Sequence, residues 1–239
     1  MIELKNLEIG YHNKILLKDT SSIFPDAQLT ALIGRNGTGK STLMRALAGI
    51  NKNYKGEIIL DKENLRNLNN TALAKKIAFV NTQRPRMSNL KCREVVALGR
   101  SPYTGWNGRL SAYDKEMVEK AIVKVGMKDY LDRNLNSLSD GESQKIMIAR
   151  AIAQDTPLLL LDEPTSFLDL PTRHELVSFL KQLAEEDRKS IIFSTHELDL
   201  ALKLSHNIAL LHNQSLTNLP VSSMVTSSHL SSAFGPIIF

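Results

Sequence analysis

Nine residues, Gly34-Arg35-Asn36-Gly37-Thr38-Gly39-Lys40-Ser41-Thr42, stand between an apolar run, Leu29 to Ile33, and a helix-like one. Their types and spacing suit them to hold phosphate groups. Glycines let successive backbone N–H groups turn inward around phosphoryl oxygens, and the helix that follows points its positive end at them. Gly34, Asn36, Gly37, Gly39 and Thr42 then belong to the cradle, Lys40 reaches β- and γ-phosphates, and the Ser41 hydroxyl ligates Mg²⁺. A glycine-rich turn can also be merely a turn. The nine-residue arrangement between strand and helix points instead to a nucleoside triphosphate.

Two carboxylates end a second apolar run, Leu158-Leu159-Leu160-Leu161-Asp162-Glu163. An α/β sheet places its chemistry at such strand ends. Asp162 can hold the Mg²⁺ coordination shell through water, and Glu163 can orient the attacking water or accept its proton. The alternative is structural, since Asp-Glu-Pro also makes a good turn and helix start. His196 follows a third apolar run, Ile191 to Phe193, where its ring could donate to a γ-phosphate. Alone, such a histidine is more often a cap or a core hydrogen-bonder. Gln83 could contact Mg²⁺ or the attacking water through its amide. Tyr11 could stack on adenine, or simply join the core.

Leu138-Ser139-Asp140-Gly141-Glu142 precedes a helix-like run, Ser143 to Ala153. A serine hydroxyl, a glycine backbone and a helix N-terminus make a second phosphate-binding surface. One chain already has its primary loop, so Ser139 and Gly141 are better used in trans. The economical arrangement is a head-to-tail pair in which each ATP lies between the loop of one subunit and Ser139 to Gly141 of the other. Such a pair closes on the γ-phosphate and opens after hydrolysis.

The elements that must position these groups follow from periodicity. Residues 2 to 9 and 15 to 17 have strand character around a turn at His12 and Asn13, so an antiparallel layer precedes the loop. Ser41 to Ala48 reads as a helix stopped by Gly49. Gly56 to Leu60, Ile77 to Val80, Leu158 to Leu161 and Ser190 to Phe193 read as strands. Between Arg84 and Gln154 helical periodicity takes over, as in Val118, Ile122 and Val125, and a helical subdomain over about 85–154 is expected inside one domain spanning 1–239. The stretch Arg173 to Glu186 presents Leu176, Phe179, Leu180 and Leu183 for packing against the sheet. The Ser/Thr-rich tail from Val221 to Ser232 is weakly informative and reads as a turn and a short helix or as a partly mobile segment.

Composition bounds the function. With 239 residues, 42% hydrophobic and 23% charged, the chain can bury a substantial core. No apolar run approaches the roughly 20 residues that cross a bilayer, and Met-Ile-Glu-Leu-Lys reads as the start of a strand instead of a signal peptide. A membrane role is therefore expected to be peripheral, with the cytosolic side the natural address. Lys and Arg outnumber acidic residues 30 to 25 without forming a basic block, which argues against nucleic acid as a partner. Cys92, the only cysteine, excludes an internal disulfide and has no cysteine neighbours for a zinc site.

In order and spacing these motifs resemble the ATP-binding subunits of ABC transporters along nearly the whole chain. The resemblance implies an α/β fold, a P-loop NTPase of ABC type with an antiparallel β layer and an inserted helical subdomain, using ATP and Mg²⁺. It implies that Gly34 to Thr42 is the Walker A loop, Gln83 the Q-loop, Leu138 to Glu142 the signature and Leu158 to Asp162 the Walker B strand. Glu163 becomes the catalytic glutamate, Ser166 to Asp169 the D-loop, His196 the switch histidine and Tyr11 the adenine-stacking aromatic. The signature departs from the family pattern, with Asp140 for the usual glycine and Glu142 for the common glutamine. Val95 to Trp106 resembles the lobe segment of importers for iron complexes, namely ferric siderophores, haem and, in close relatives, cobalamin. That implies two copies of the chain beneath two transmembrane permease subunits, with a periplasmic or lipoprotein substrate-binding protein delivering the cargo. Trp106 itself has two readings, packing the lobe or meeting another protein. The resembled tail runs somewhat beyond Phe239. The competing class, a soluble ABC-type ATPase acting on nucleic acid or the ribosome, usually adds a second cassette, long coiled coils or an Arg/Lys-rich module, and none is visible here.

Overall fold

A computed structural model of the chain describes residues 1–11, 14–81 and 89–235, with only the backbone of Tyr11. The first strands, β1 (Ile2–Tyr11) and β2 (Lys14–Phe24), form an antiparallel pair in which Tyr11 lies opposite Lys14. β2 runs well past the expected Leu17. Its exposed-to-buried alternation is broken by bulges in the register, which hides the period-2 pattern from the sequence. β3 (Leu29–Ile33) leads into the phosphate loop and α1 (Lys40–Leu47). β4 (Tyr54–Leu60) and the short β5 (Glu63–Asn64) complete a four-stranded sheet of order β2-β1-β4-β5.

The second sheet grows outward from β3. α2 (Asn70–Lys76) leads into β6 (Ile77–Val80), and a helical region follows with α3 (Cys92–Ala97), α4 (Ala112–Lys124) and α5 (Asp140–Ala153). β7 (Leu158–Leu161), α6 (Leu170–Glu186), β8 (Ser190–Ser194), α7 (Leu198–Leu204), β9 (Asn207–His212) and β10 (Ser215–Pro220) complete the order β10-β9-β3-β8-β7-β6. β6, β7, β8, β3 and β9 run parallel, and β10 returns antiparallel. The tail forms two short helices, α8 (Val221–Thr226) and α9 (His229–Phe234), where one was expected.

Two apolar clusters explain why the central strands read as unbroken hydrophobic runs. Leu159, Leu161, Ile191, Phe193, Leu29 and Ala31 face one cluster, shared with α4, α5 and α6. Leu158, Leu160, Ile192 and Leu32 face the other, shared with α1 and the antiparallel sheet. A parallel sheet covered on both faces leaves no polar side to alternate.

The helical region packs into the first cluster through Val118, Ile122, Ile146 and Ile148. Among the described residues of 89–154 there is no strand, only an isolated bridge between Lys91 and Asn134. Its interior is pinned by a buried ion pair, Arg100 Nε to Asp114 Oδ1 at 2.8 Å, and Arg100 Nη1 donates to the Ala153 carbonyl. Gly99 brings the chain so close to α5 that a Cβ there would sit 2.2 Å from the Arg150 carbonyl oxygen. Trp106 does not pack the lobe. It is fully exposed, whereas Tyr103 stacks 4.0 Å from the Arg100 guanidinium.

Candidate functional site

The loop after β3 takes its shape from three glycines in backbone regions that other residues rarely enter: Gly34 at φ 157°, Gly37 at 78° and Gly39 at 105°. A Cβ on Gly34 would lie 2.7 Å from the Leu211 carbonyl oxygen, and one on Gly39 would lie 3.0 Å from Leu16. The close approach of β2 and β9 therefore leaves room for backbone only. α1 begins directly at Lys40, so its unpaired N–H groups face the loop.

Lys40 is buried. Its Nζ donates to the carbonyls of Gly34 at 2.8 Å and Arg35 at 3.4 Å. Burial pushes its ammonium below the ordinary lysine value, while the carboxylates of Glu163 and then Asp162 pull in the opposite direction. A cation kept in a largely desolvated place beside a glycine cradle fits a polyanionic ligand.

Asp162 follows β7 and is almost completely buried. Its backbone N–H donates to Val80, and its Oδ1 accepts from the Ser41 hydroxyl at 3.1 Å and from Ser194 at 2.6 Å. Hydroxyl and carboxylate oxygens at the floor of a phosphate cradle are the hard donors that suit Mg²⁺. Ser194 was not anticipated from the sequence. It also accepts the Glu163 N–H at 2.8 Å, so one hydroxyl fixes both carboxylate residues. The available signal was a serine ending a fully apolar strand, in register beyond Phe193 opposite Leu161.

Glu163 has φ 48°, a conformation uncommon for a residue with a side chain, and its Oε2 accepts from the Ser166 hydroxyl at 3.2 Å. That bend turns Glu163 into a cleft of about 630 Å³. It is lined by Asn36, Gly37, Gly39, Lys40, Ser41 and Thr42 of the loop and α1, by Glu163 and His196, and by Lys14 and Leu16 of β2. The first loop, the acidic residue and the histidine, 156 positions apart from Lys40 to His196, thus share one cavity. Gly34 lies behind the loop, and Asp162 lies beneath it through Ser41.

Ser139 and Gly141 stand apart from this cleft, at the start of α5. The Ser139 Oγ accepts from the Glu142 N–H, and the Glu142 carboxylate accepts from the Ser139 N–H at 2.8 Å. This reciprocal cap explains why α5 begins at Asp140, a turn earlier than expected. The Ser139 N–H first and the Tyr130 hydroxyl second hold the Glu142 carboxyl below its ordinary pKa. A Cβ on Gly141 would lie 3.4 Å from Thr172 and 3.7 Å from Leu168, so this surface adjoins the turn that follows Glu163. The last residue of that turn, Asp169, caps α6 by accepting from the Thr172 N–H at 2.9 Å. Gln83 and the Tyr11 side chain lie outside the described residues.

A twisted parallel sheet with a glycine-rich loop at a helix start, a buried lysine and a strand-end Asp-Glu pair defines a P-loop ATPase. Residues 17–166 match the ABC transporter family. The chain is 39% identical over 213 residues to the ABC transporter ATP-binding protein MJ0873 of Methanocaldococcus jannaschii, itself uncharacterised, covering 89% of this chain and 73% of that protein. It is 33% identical over 215 residues to the petrobactin import ATP-binding protein FpuD of Bacillus anthracis, covering 90% and 79%. The dimeric structure of MJ0796, a bacterial ABC transporter cassette, superposes with a TM-score of 0.79 at 27% identity, covering 92% of this chain and 99% of that one. The chain belongs to the ABC transporter family, as an ATP-binding subunit that hydrolyses ATP to drive transport.

Proposed function

We propose that this chain energises uptake of an iron complex, such as a ferric siderophore or haem, through a membrane permease. The observation that carries the site assignment is the meeting of Lys40, Glu163 and His196 in one cleft above the Ser41–Asp162 hydrogen bond. The glycine loop binds the triphosphate through backbone N–H groups, Lys40 binds the β- and γ-phosphates, and Tyr11 stacks on adenine. Glu163 orients a water for in-line attack on the γ-phosphate and takes its proton, while His196 donates a hydrogen bond to that phosphate. Gln83 joins the attacking water to the loop that follows it. Ser41, Asp162 and Gln83 would hold Mg²⁺, which would supply neutralising charge to the phosphate oxygens.

Ser139 and Gly141 act on the ATP of a second copy. The exposed Ser139 and half-buried Gly141 at a capped helix start, away from their own chain's cleft, support that reading, as does the dimeric cassette it resembles. Two copies work beneath two transmembrane permease subunits at the cytoplasmic face of the membrane, with a substrate-binding protein delivering cargo from outside. The iron-complex assignment draws on the petrobactin import named for the related protein and on the resemblance of the Val95 to Trp106 segment.

The site reading is tested with Glu163→Gln and Lys40→Ala. Glu163→Gln is expected to keep ATP and accumulate the closed dimer while turnover falls at least about 100-fold, and Lys40→Ala to weaken nucleotide use at the phosphates. Wild-type turnover in either variant refutes it. The cargo reading is tested by iron-complex uptake in cells lacking the chain. Uptake restored by the wild type and not by Glu163→Gln is expected, and uptake that never depended on the chain refutes it.

A further inference from the structure

We propose that Glu197 and Arg173 are a positioning pair that fixes the turn bearing Glu163 against the turn bearing His196. This rests on the roles given to Glu163 and His196 above. The two residues come from different strand ends, β7 and β8, and a hydrogen-bond network outside the cleft joins the segments that follow them.

Glu197 is the residue after His196, and its backbone is held on both sides. Its N–H donates to Thr195 Oγ1 at 3.0 Å, and its carbonyl accepts from Ala201 in the first turn of α7. Its carboxylate reaches across to the other turn. Oε1 accepts from the Thr165 hydroxyl at 3.0 Å, and Oε2 accepts from Arg173 Nη1 at 3.0 Å. Arg173, on the first turns of α6, also donates through Nε to the Leu168 carbonyl at 2.6 Å. One guanidinium therefore ties the end of the 163–169 turn to the carboxylate next to His196. The turn is closed by Ser166 N–H to Glu163 at 3.1 Å and Leu168 N–H to Thr165 at 3.2 Å, so a force on residues 165 and 168 is felt at Glu163.

The surroundings make this more than a surface ion pair. Thr165 and Thr195 are buried, and the Glu197 side chain is 17% exposed. The three side-chain hydrogen bonds described for the pair run to groups within the two turns or between the partners themselves. The same 163–169 turn adjoins the Ser139–Gly141 surface, with Leu168 3.7 Å from where a Cβ on Gly141 would stand. The network thus lies where a change at the dimer-facing turn would reach both groups that flank the γ-phosphate. Misplacement of reacting groups by about 1 Å can cost on the order of 100-fold in rate, so a positioning role has a measurable signature.

The test uses the full chain purified with its membrane partner. In Glu197→Ala and Arg173→Ala the kcat for ATP is expected to fall about tenfold or more, with KM and fluorescent-nucleotide affinity changed less than about twofold. The double variant should be no slower than the slower single one, because both act through one network. Glu197→Gln and Arg173→Lys retain bulk and guard against unfolding, and thermal melts accompany every variant. Loss of kcat in these two without a lower melting temperature supports positioning. Wild-type kcat in them, or kcat falling only in proportion to lost folded protein, overturns it. Glu163→Gln and His196→Ala are run beside them. If those two turn over like wild type, the underlying site reading fails; if they are inactive while the Glu197 and Arg173 variants are not, the positioning pair alone fails.

Discussion

Replacing Ser194 by alanine removes two hydrogen bonds from the floor of the site in one step. The hydroxyl donates to Asp162 Oδ1 at 2.6 Å and accepts the Glu163 N–H at 2.8 Å, and the residue is completely buried. A hydrogen bond to a charged group contributes about 1.5–3 kcal/mol, and a buried donor left without its acceptor costs about 1–3 kcal/mol. With partial relaxation the expected loss is about 3 kcal/mol, which for a chain of this size lowers the melting temperature by roughly 6–12 °C. The control is Ser190→Ala at the opposite, more exposed end of β8. Its hydroxyl accepts from Ala27 at 3.2 Å and donates to Asp26 at 3.3 Å, so a loss below about 1 kcal/mol is expected there. Thermal unfolding without nucleotide, followed by circular dichroism, compares the two. Equal shifts in the two variants would refute the claim that Ser194 holds the Asp162–Glu163 corner.

Three further outcomes follow from other parts of the chain. Asp114 has its carboxyl held down from 3.8 to about 2 by the Ser111 hydroxyl and then by Arg100. Its charge-linked stabilisation is therefore fully present above about pH 4 and lost as pH falls towards 2, and the stability gap between wild type and Asp114→Asn in urea titrations should close across that window. Gly99→Ala drives a Cβ to 2.2 Å from the Arg150 carbonyl oxygen, so α5 must shift, and a loss of about 3 kcal/mol is expected in the same titrations; an unchanged midpoint would contradict the close packing. Trp106→Ala should leave the melting temperature within the small range of surface substitutions, about 0.5 kcal/mol, while reducing the membrane protein retained on copurification.

Much of this was legible where local chemistry and geometry coincide. The runs Leu29–Ile33, Ile77–Val80 and Leu158–Leu161 are strands at the residues expected, because buried parallel strands are apolar on both faces. The glycine loop was legible because positive φ and backbone crowding leave few alternatives at Gly34 and Gly39. β9 and β10 were not read, although Asn207–His212 is nearly all buried, since its polar ends interrupt the run. Ser194, Arg173 and Glu197 were missed for a different reason. Each is an ordinary residue in its own segment and acquires a role only when β7 and β8 pair and α6 packs beside them. Trp106 has two readings in the sequence because sequence alone does not say which side of the lobe a turn faces.

The most direct test of the account is affinity purification of the tagged full chain from gently solubilised native membranes, with ATP and in the Glu163→Gln background. A polytopic permease with two copies of this chain is expected to be recovered, with iron-complex binding by the receptor that accompanies it. Recovery of ribosomes or DNA-processing proteins with no permease would contradict it.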